Sequence, residues 1–545
     1  MDTKSFLKGR STNAYTFFGN HKKNQGYIFR VYAPNARKVE IIGDFNDWQG
    51  QNLRRYSSGV FSTTIKNAKE NDRYQYKIYN QYGTEIKKID PFARKISLDE
   101  NCALVGDIEY IFKNKKVKTK VKNIYQVHLG SLFKDEEFSF DKLINHCKSN
   151  NFDWISFLPL AEYENYKSYG YKNLSLFAFS QRYGQADKFK EFIDLAHKNN
   201  IGVIAELDIY EFDNNKFSLD NFDGSNIFGY DYEDIKYNYY GGVNFDPSKN
   251  ISKSYLLSVI NYWLNEFNLD GIMLTNIENA IYWQGDENRG LNENWILLLK
   301  DIIDLIHKND AYVLASFNGV YDLDLNFDYI YDLSFREIIR IMQKAPFDRD
   351  NYKNIVQKLI MADNSNKILG FTYVDSYLDE ASLAMKMYGE DKISQLKSLF
   401  TLLYSLNSSK ILFMGDELAD FETFSVFEPM NINSDNKQNQ AFIKFYNDLV
   451  DLYKNELNLN LSNTKILDIG GYSIYAFIKE FDTKKYLVII NFTDIEYKIK
   501  SPFVIKEILN SENLDYGGNG NINGTTNKGD FINIMPFASA IFKIK

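Results

Sequence analysis

Cysteine is nearly missing from this chain of 545 residues, with Cys102 and Cys147 as the only two. A pair so spaced makes neither a disulfide framework nor a zinc pattern, and both thiols are expected to be reduced, in the core or at the surface. Positive charge is in deficit. Lys and Arg number 64 against 72 Asp and Glu, a net charge of −8 with pI near 5.5. Neutralising phosphates needs a basic face, so nucleic acid is excluded as a main partner. No run of about 18 apolar residues exists, so no span of a membrane is expected. The N-terminus, Met1 to Leu7, lacks the apolar stretch of a secretory leader, and a cytoplasmic location is expected. Histidine is scarce too, at five residues.

What is present is an ordinary globular mixture, 44% hydrophobic and 25% charged, which argues against disorder. The length predicts two to four domains. Aromatic residues reach 16%, with 40 Tyr and 42 Phe. Abundant Lys, Asn, Ile and Tyr together fit AT-rich codon usage. Sugar-stacking surfaces fit as well, and composition alone leaves both readings open.

The chain changes rhythm twice. Up to about residue 115, β-branched and aromatic runs (Tyr27 to Ala33, Val39 to Gly43, Tyr74 to Tyr79) alternate with Asn- and Gly-rich turns, a small β-sandwich pattern. From 116 to about 440, short apolar runs alternate with helical periods. Eight candidate strands, Ile124–Leu129, Trp154–Leu160, Gly202–Ile209, Gly271–Leu274, Tyr312–Phe317, Asp328–Leu333, Leu369–Val374 and Ile411–Met414, predict a (β/α)8 barrel with insertions. A doubly wound sheet would need a glycine-rich phosphate turn after the first strand, and only Gly130 follows Leu129. From 441 to 545 a helix, Ala441–Leu457, leads into four strand-like runs, and an all-β C-terminal domain is expected. Gly517 to Gly529 is read as a surface loop.

Several motifs then fall in one order. They are Ala14 to His21 (AYTFFGNH), Phe29 to Ala36 (FRVYAPNA), Gly43 to Trp48 (GDFNDW), Asp90 to Ala93 (DPFA), Tyr125 to Ser131 (YQVHLGS), Ser168 to Tyr171 (SYGY), Phe177-Ala178, Arg182 to Gly184 (RYG), Phe222 to Gly224 (FDG) and Ile411 to Gly415 (ILFMG). With these the chain resembles, over almost its whole length, the 1,4-α-glucan (glycogen) branching enzymes of the α-amylase superfamily. The resemblance implies an N-terminal carbohydrate-binding module, a TIM barrel and a C-terminal β-sandwich. It implies an α-1,4-glucan or glycogen as ligand, and neither a cofactor nor a metal. Many of these motif residues make turns and core, so they speak for the fold more than for the activity.

Retaining glycosyl transfer needs two carboxyl groups about 5–5.5 Å apart, one nucleophile and one acid/base. The resemblance places the nucleophile after strand 4, where the family reads D-G-L-R-V-D and this chain reads Asp270-Gly-Ile-Met-Leu-Thr275. Met273 thus stands for the arginine and Thr275 for the nucleophile. After strand 5, Ser316 stands for the acid/base. After strand 7, Val374 stands for a histidine and Asp375 is retained. After strand 3, Glu206 stands for an aspartate and Glu211 for a histidine. Threonine needs an adjacent base to act as a nucleophile, and serine cannot protonate a glycosidic oxygen near neutral pH. Losing one essential member of such a unit costs roughly 10⁴–10⁶-fold in rate.

The expected function is therefore a branching-enzyme-like protein without the family's catalytic residues, a non-catalytic binder or regulator of α-1,4-glucan. Its candidate glucan-binding residues are Trp48, Tyr169, Tyr171, Arg182 and Asp375. Trp48 has a rival reading as a buried structural tryptophan. An enzyme with relocated catalysis stays open through Glu206, Asp208, Glu211 and Glu278, although Glu278 reads more readily as a solvated helix charge. A third reading is an interaction subunit of an active branching enzyme or a glycogen synthase, without sugar binding.

Overall fold

A computed structural model describes residues 3–97, 99–132, 134, 138–317, 323–362, 365–377, 380–430, 437–457, 463–481 and 483–545. The chain forms two compact units. One comprises residues 1–118 and 157–328, the other 119–156 and 329–545.

In the first unit, strand Tyr27–Tyr32 alternates buried and half-buried residues, so Tyr27, Phe29 and Val31 share one face. Strand Arg73–Tyr79 buries Tyr74, Tyr76 and Ile78 completely. This period of two builds a sandwich. The first strand belongs to a four-stranded sheet and the second to a six-stranded one. The Phe29 and Tyr74 rings meet between them at 5.0 Å. Strand Val60–Ile65, which pairs with Tyr27–Tyr32, carries a weaker alternation and went unread in the sequence. The closing corner of the module is Asp90, which accepts from the Tyr74 and Tyr76 hydroxyls at 2.8 and 3.1 Å and from the Phe92 amide at 2.9 Å.

The module's N-terminal segment lies on helix Asn250–Glu266. Ser254 and Ser258, one helical turn apart, are small enough for close approach. Their hydroxyls accept from the amides of Ser11 (3.2 Å) and Ala14 (3.0 Å). Tyr15 packs edge-on against Tyr262 at 5.2 Å.

Eight parallel strands close a barrel in chain order. They are β1 (Asn123–Val127), β2 (Trp154–Phe157), β3 (Gly202–Leu207), β4 (Gly271–Leu274), β5 (Tyr312–Phe317), β6 (Tyr329–Asp332), β7 (Lys367–Gly370) and β8 (Ser409–Phe413). Helices cover a barrel sheet from outside, so its strands are buried on both faces and read as unbroken apolar runs. That is why all eight were legible in the sequence. In the first unit β3 pairs with β4, Glu206 opposite Met273, and β4 with β5, Leu274 opposite Ala315.

Several expected strands end early, Trp154–Leu160 at Phe157, Ile124–Leu129 at Val127 and Gly202–Ile209 at Leu207, and one bound is displaced further. The expected strand Leu369–Val374 ends at Gly370, and Tyr373–Tyr377 is a helical turn. Gly370 has φ +141°, and a Cβ there would lie 1.9 Å from the Ile411 carbonyl oxygen. Beyond it, Thr372 caps the turn through Asp375, so the chain leaves the sheet before Val374.

In the second unit, helix Lys437–Leu452 precedes a six-stranded antiparallel sheet and a two-stranded one. Ile474, Leu487, Ile489, Ile505 and Phe542 from the larger sheet share a core with Ile499, Ile532 and Ile534 from the smaller. The predicted loop from Gly517 to Gly529 contains the short strand Thr525–Thr526. Cys102 and Cys147 are both buried and unpaired, and burial raises both thiols, Cys102 to about 11. No helix among the described residues is long and apolar enough to cross a membrane.

Candidate functional site

In a barrel the chain emerges from each strand's C-terminal end into the loops that carry chemistry. Thr275 directly follows β4 and is 5% exposed. Its amide donates to the Leu207 carbonyl at 3.3 Å, while its buried Oγ1 has no hydrogen-bond partner among the described residues. Ser316 lies next to it on β5, one step past the Leu274–Ala315 pair. The structure thus brings these two expected positions together. Ser316 is already occupied. Its Oγ accepts from the Asn276 amide at 3.0 Å and its carbonyl from the Ile277 amide at 3.1 Å. The serine fastens the turn after β4, with Asn276 held at φ +52°. Met273 is buried in β4 at 2% exposure.

Around Thr275 the acids come from the end of β3. Glu206 is 1% exposed and accepts from the Tyr171 hydroxyl at 2.7 Å. Burial, then the charge of Glu211, holds the Asp208 carboxyl well above the usual carboxylate range, and Glu278 adds to this. Burial also raises Glu211, which accepts from the Asn238 side-chain amide. Glu278 is half-buried at the start of the helical turn Glu278–Ile281, not a solvated charge. The Tyr210 hydroxyl, under the field of Asp208 and Glu278, is buried without a hydrogen-bond partner among the described residues. This end of the first unit therefore combines two buried carboxyls, Asp208 and Glu211, raised above the usual carboxylate range with the buried hydroxyls of Thr275 and Tyr210.

Asp375, in the second unit, is fully engaged. Its Oδ2 accepts from the Tyr331 hydroxyl (2.6 Å), the Thr372 amide (3.0 Å) and the Thr372 hydroxyl (2.8 Å). Its Oδ1 pairs with the Arg336 guanidinium, and its own side chain is 1% exposed. A carboxylate so bound anchors the turn after β7. Val374 beside it is half-buried.

The expected glucan contacts fall into two kinds. Trp48 is 37% exposed, which removes its reading as a buried structural residue. It sits at φ +59°, its indole donates to Asp44 at 3.1 Å, and the Arg73 guanidinium lies 5.9 Å from its ring. Arg73 also binds Asp44 at 2.8 Å, so the indole is held from two sides. Tyr169, at φ +54°, and Tyr171 are half-buried. Arg182 is committed to its own loop, with Nη1 2.6 Å from Glu162, Nη2 3.0 Å from the Glu164 carbonyl, and its guanidinium over the Tyr163 and Tyr166 rings.

All five histidines have structural partners or burial. His197 binds Asp270 at 2.8 Å, His146 binds Glu417 at 2.8 Å, and His307 binds Asp328 at 3.1 Å. His21 faces the Phe18 carbonyl at 2.9 Å. His128 is fully buried against Ser131, and burial lowers it to about 3. Among the described residues no group of three or more His, Cys, Asp or Glu could hold a metal ion.

Comparison with known proteins places these features. Residues 17–93 match the family model for carbohydrate-binding module 48, the isoamylase N-terminal domain. The chain is 28% identical to the 1,4-alpha-glucan branching enzyme of Fusobacterium nucleatum over 494 residues, covering 84% of this chain and 80% of that protein. It is 28% identical to the branching enzyme of Bacillus mycoides, over 94% of this chain and 88% of that one. Among solved structures, a pullulanase from Anoxybacillus complexed with maltotetraose superposes with a TM-score of 0.78 at 13% identity, covering 99% of this chain and 89% of the other. A structure described as a putative alpha amylase from Salmonella typhimurium gives 0.74 at 14% identity, covering 97% and 100%.

Proposed function

We infer this chain's function from its similarity, along nearly its whole length, to 1,4-α-glucan branching enzymes and from the α-amylase-type fold it shares. From that premise we propose that it is a non-catalytic, α-1,4-glucan-binding protein of glycogen metabolism. Its division would be a binding module at 1–115, a barrel at 116–440 and a C-terminal β domain at 441–545, and it would act in the cytoplasm. The observation that carries this reading is the state of the barrel-strand ends. The two positions that would supply nucleophile and acid/base are the hydroxyls of Thr275 and Ser316, and the Ser316 Oγ accepts from the Asn276 amide of the turn after β4. An acid/base must titrate near the working pH, and neither hydroxyl does.

Glucan contact is assigned to the N-terminal module. An exposed aromatic face stacks on pyranose C–H groups while neighbouring polar groups take hydroxyls. Trp48, with Asp44 and Arg73 alongside, has that composition. Arg182 and Asp375 would then support loops, and Tyr169 and Tyr171 remain candidates at the barrel mouth.

The test is co-sedimentation with glycogen. The parent protein should pellet with glycogen, and Thr275→Ala should do so equally. A parent that stays in the supernatant removes the glucan reading and leaves the interaction subunit of an active branching enzyme or glycogen synthase in front. One observation favours a second reading, an atypical glucan-transferring enzyme: Asp208 is buried and raised close to Glu278. If turnover is found, Glu278→Gln and Glu206→Gln are the variants that should abolish it.

A further inference from the structure

Four of the eight exposed tyrosines among the described residues, Tyr232, Tyr237, Tyr239 and Tyr240, crowd into nine consecutive positions. Codon bias scatters tyrosine; it does not gather exposed rings on one loop. Tyr239 is 95% exposed and Tyr240 75%, and their rings stand edge to face at 5.4 Å. No other large hydrophobic residue between 212 and 290 is exposed. The neighbours at the surface are Asn, Gly, Asp and Lys. A protein-binding patch centred on aliphatic anchors has a different composition.

The loop is also fastened from several directions. It grows from Val243–Asn244, which pairs antiparallel with Glu211–Phe212 just beyond β3. Asn238 Oδ1 accepts from the amides of Tyr240 (3.0 Å) and Gly242 (2.9 Å), and Asn238 Nδ2 donates to Glu211. Gln284 Nε2 donates to the Tyr237 carbonyl at 3.1 Å, and Lys172 Nζ to that of Tyr240. Gly242 permits this closure, since a Cβ there would fall 1.8 Å from Glu211 Oε2. A loop backbone held so firmly loses little freedom on binding, which is what a stacking platform requires.

We propose that Tyr239 and Tyr240 form a second α-1,4-glucan-binding platform, separate in sequence from Trp48 and joined to the end of β3 through Asn238 and Glu211. This rests on the glucan-binding reading above. Pyranose rings present an apolar C–H face and an edge of hydroxyls. The exposed tyrosine rings match the first and their phenolic hydroxyls the second. Two separated platforms on one protein, bound to a many-ended polymer, gain by avidity.

The experiment is affinity electrophoresis through gels containing amylose, with maltoheptaose as soluble competitor. Parent, Trp48→Ala and Tyr239→Ala/Tyr240→Ala are compared. Both tyrosine side chains point into solvent, so the double variant keeps its fold, checked by circular dichroism and Tm. The proposal expects the double variant's apparent Kd for amylose to rise about fivefold or more, and the triple combination with Trp48→Ala to lose retardation altogether. A double variant retarded like the parent while Trp48→Ala is weakened overturns the platform and leaves the glucan reading standing. The same follows if the double variant keeps its retardation but loses self-association, which would make the loop a protein interface. A parent that is not retarded at all overturns both.

Discussion

The N-terminal module and the barrel-strand ends treat their polar and aromatic groups in opposite ways. At Trp48 the ring is open to solvent and the surrounding charges, Asp44 and Arg73, hold it in place from the side. At the ends of β5 and β7 the polar groups face inward. Ser316 ties down the turn after β4, and Asp375 ties down the turn after β7. A recognition surface needs unspent hydrogen-bonding capacity and exposed apolar area. A group whose every acceptor is engaged contributes stability and offers a ligand nothing until those bonds are broken. The contrast teaches that alignment with a relative's site position does not by itself say what a residue offers a ligand; the local hydrogen bonds decide that.

The largest effect should come from Asp375→Asn. Removing the charge leaves the Arg336 guanidinium without its partner, and stability should fall by roughly 2–4 kcal/mol, read as a lower midpoint in urea unfolding. Glycogen binding by the folded variant should be unchanged. Loss of binding at full stability would break the comparison by making Asp375 a ligand contact.

Introducing the charges expected from the branching-enzyme resemblance is next. Met273→Arg, Thr275→Asp and Ser316→Glu together bring three charges to positions that are buried or already bonded. The triple variant should lose about 1–4 kcal/mol of stability. It should also stay without branching activity, because Val374 and Glu211 still lack imidazole donors and the supporting shell must be right to about 0.5 Å.

The pH dependence reports burial in both regions. His128 is neutral in the fold down to about pH 3, while in the unfolded chain it takes up a proton below its ordinary value of 6.5. The unfolded state then binds more protons, so this contribution to stability is lost as pH falls from 6.5 toward 3. In the module, burial lowers His21 to about 4, with the same sign, whereas burial raises Asp90 to about 6. The Asp90 contribution is complete below 3.8 and is lost as pH rises through 6. Between pH 4 and 6 the Tm slope should therefore flatten in His128→Gln and His21→Gln and steepen in Asp90→Asn. An unchanged slope in His128→Gln would mean that the ring is not held neutral.

Smaller effects follow. Trp48→Ala should weaken co-sedimentation with glycogen by about tenfold, the worth of one stacked ring of roughly 1–1.5 kcal/mol. Ser316→Ala should cost only about 0.5–1 kcal/mol, because Asn276 is exposed and water can replace the lost acceptor.

Much of this architecture was legible because barrel strands are buried on both faces. Gly271–Leu274 and Tyr312–Phe317 appear in the structure with the bounds read from their apolar runs. The strand after residue 366 was misplaced because its end is set by a backbone collision at Gly370, a tertiary fact without a periodic signal. The pair Thr275 and Ser316 was legible through the resemblance and the glycine register at Gly271. Their bonding was not, since the Asn276 amide reaches Ser316 across 40 residues of sequence. The tyrosine loop was overlooked for another reason. Tyr239 and Tyr240 stood in the sequence among many tyrosines, and only exposure distinguishes them from a buried ring such as Tyr255.

The central claim is binding without chemistry, and the iodine-staining spectrum of amylose measures it most directly. Protein that co-sediments with glycogen should be incubated with amylose at high concentration and the spectrum followed together with released reducing sugar. The account predicts no shift in the absorption maximum and no reducing ends above background. A shift with turnover in the usual enzyme range of roughly 1–10³ s⁻¹, abolished by Glu278→Gln, would contradict it.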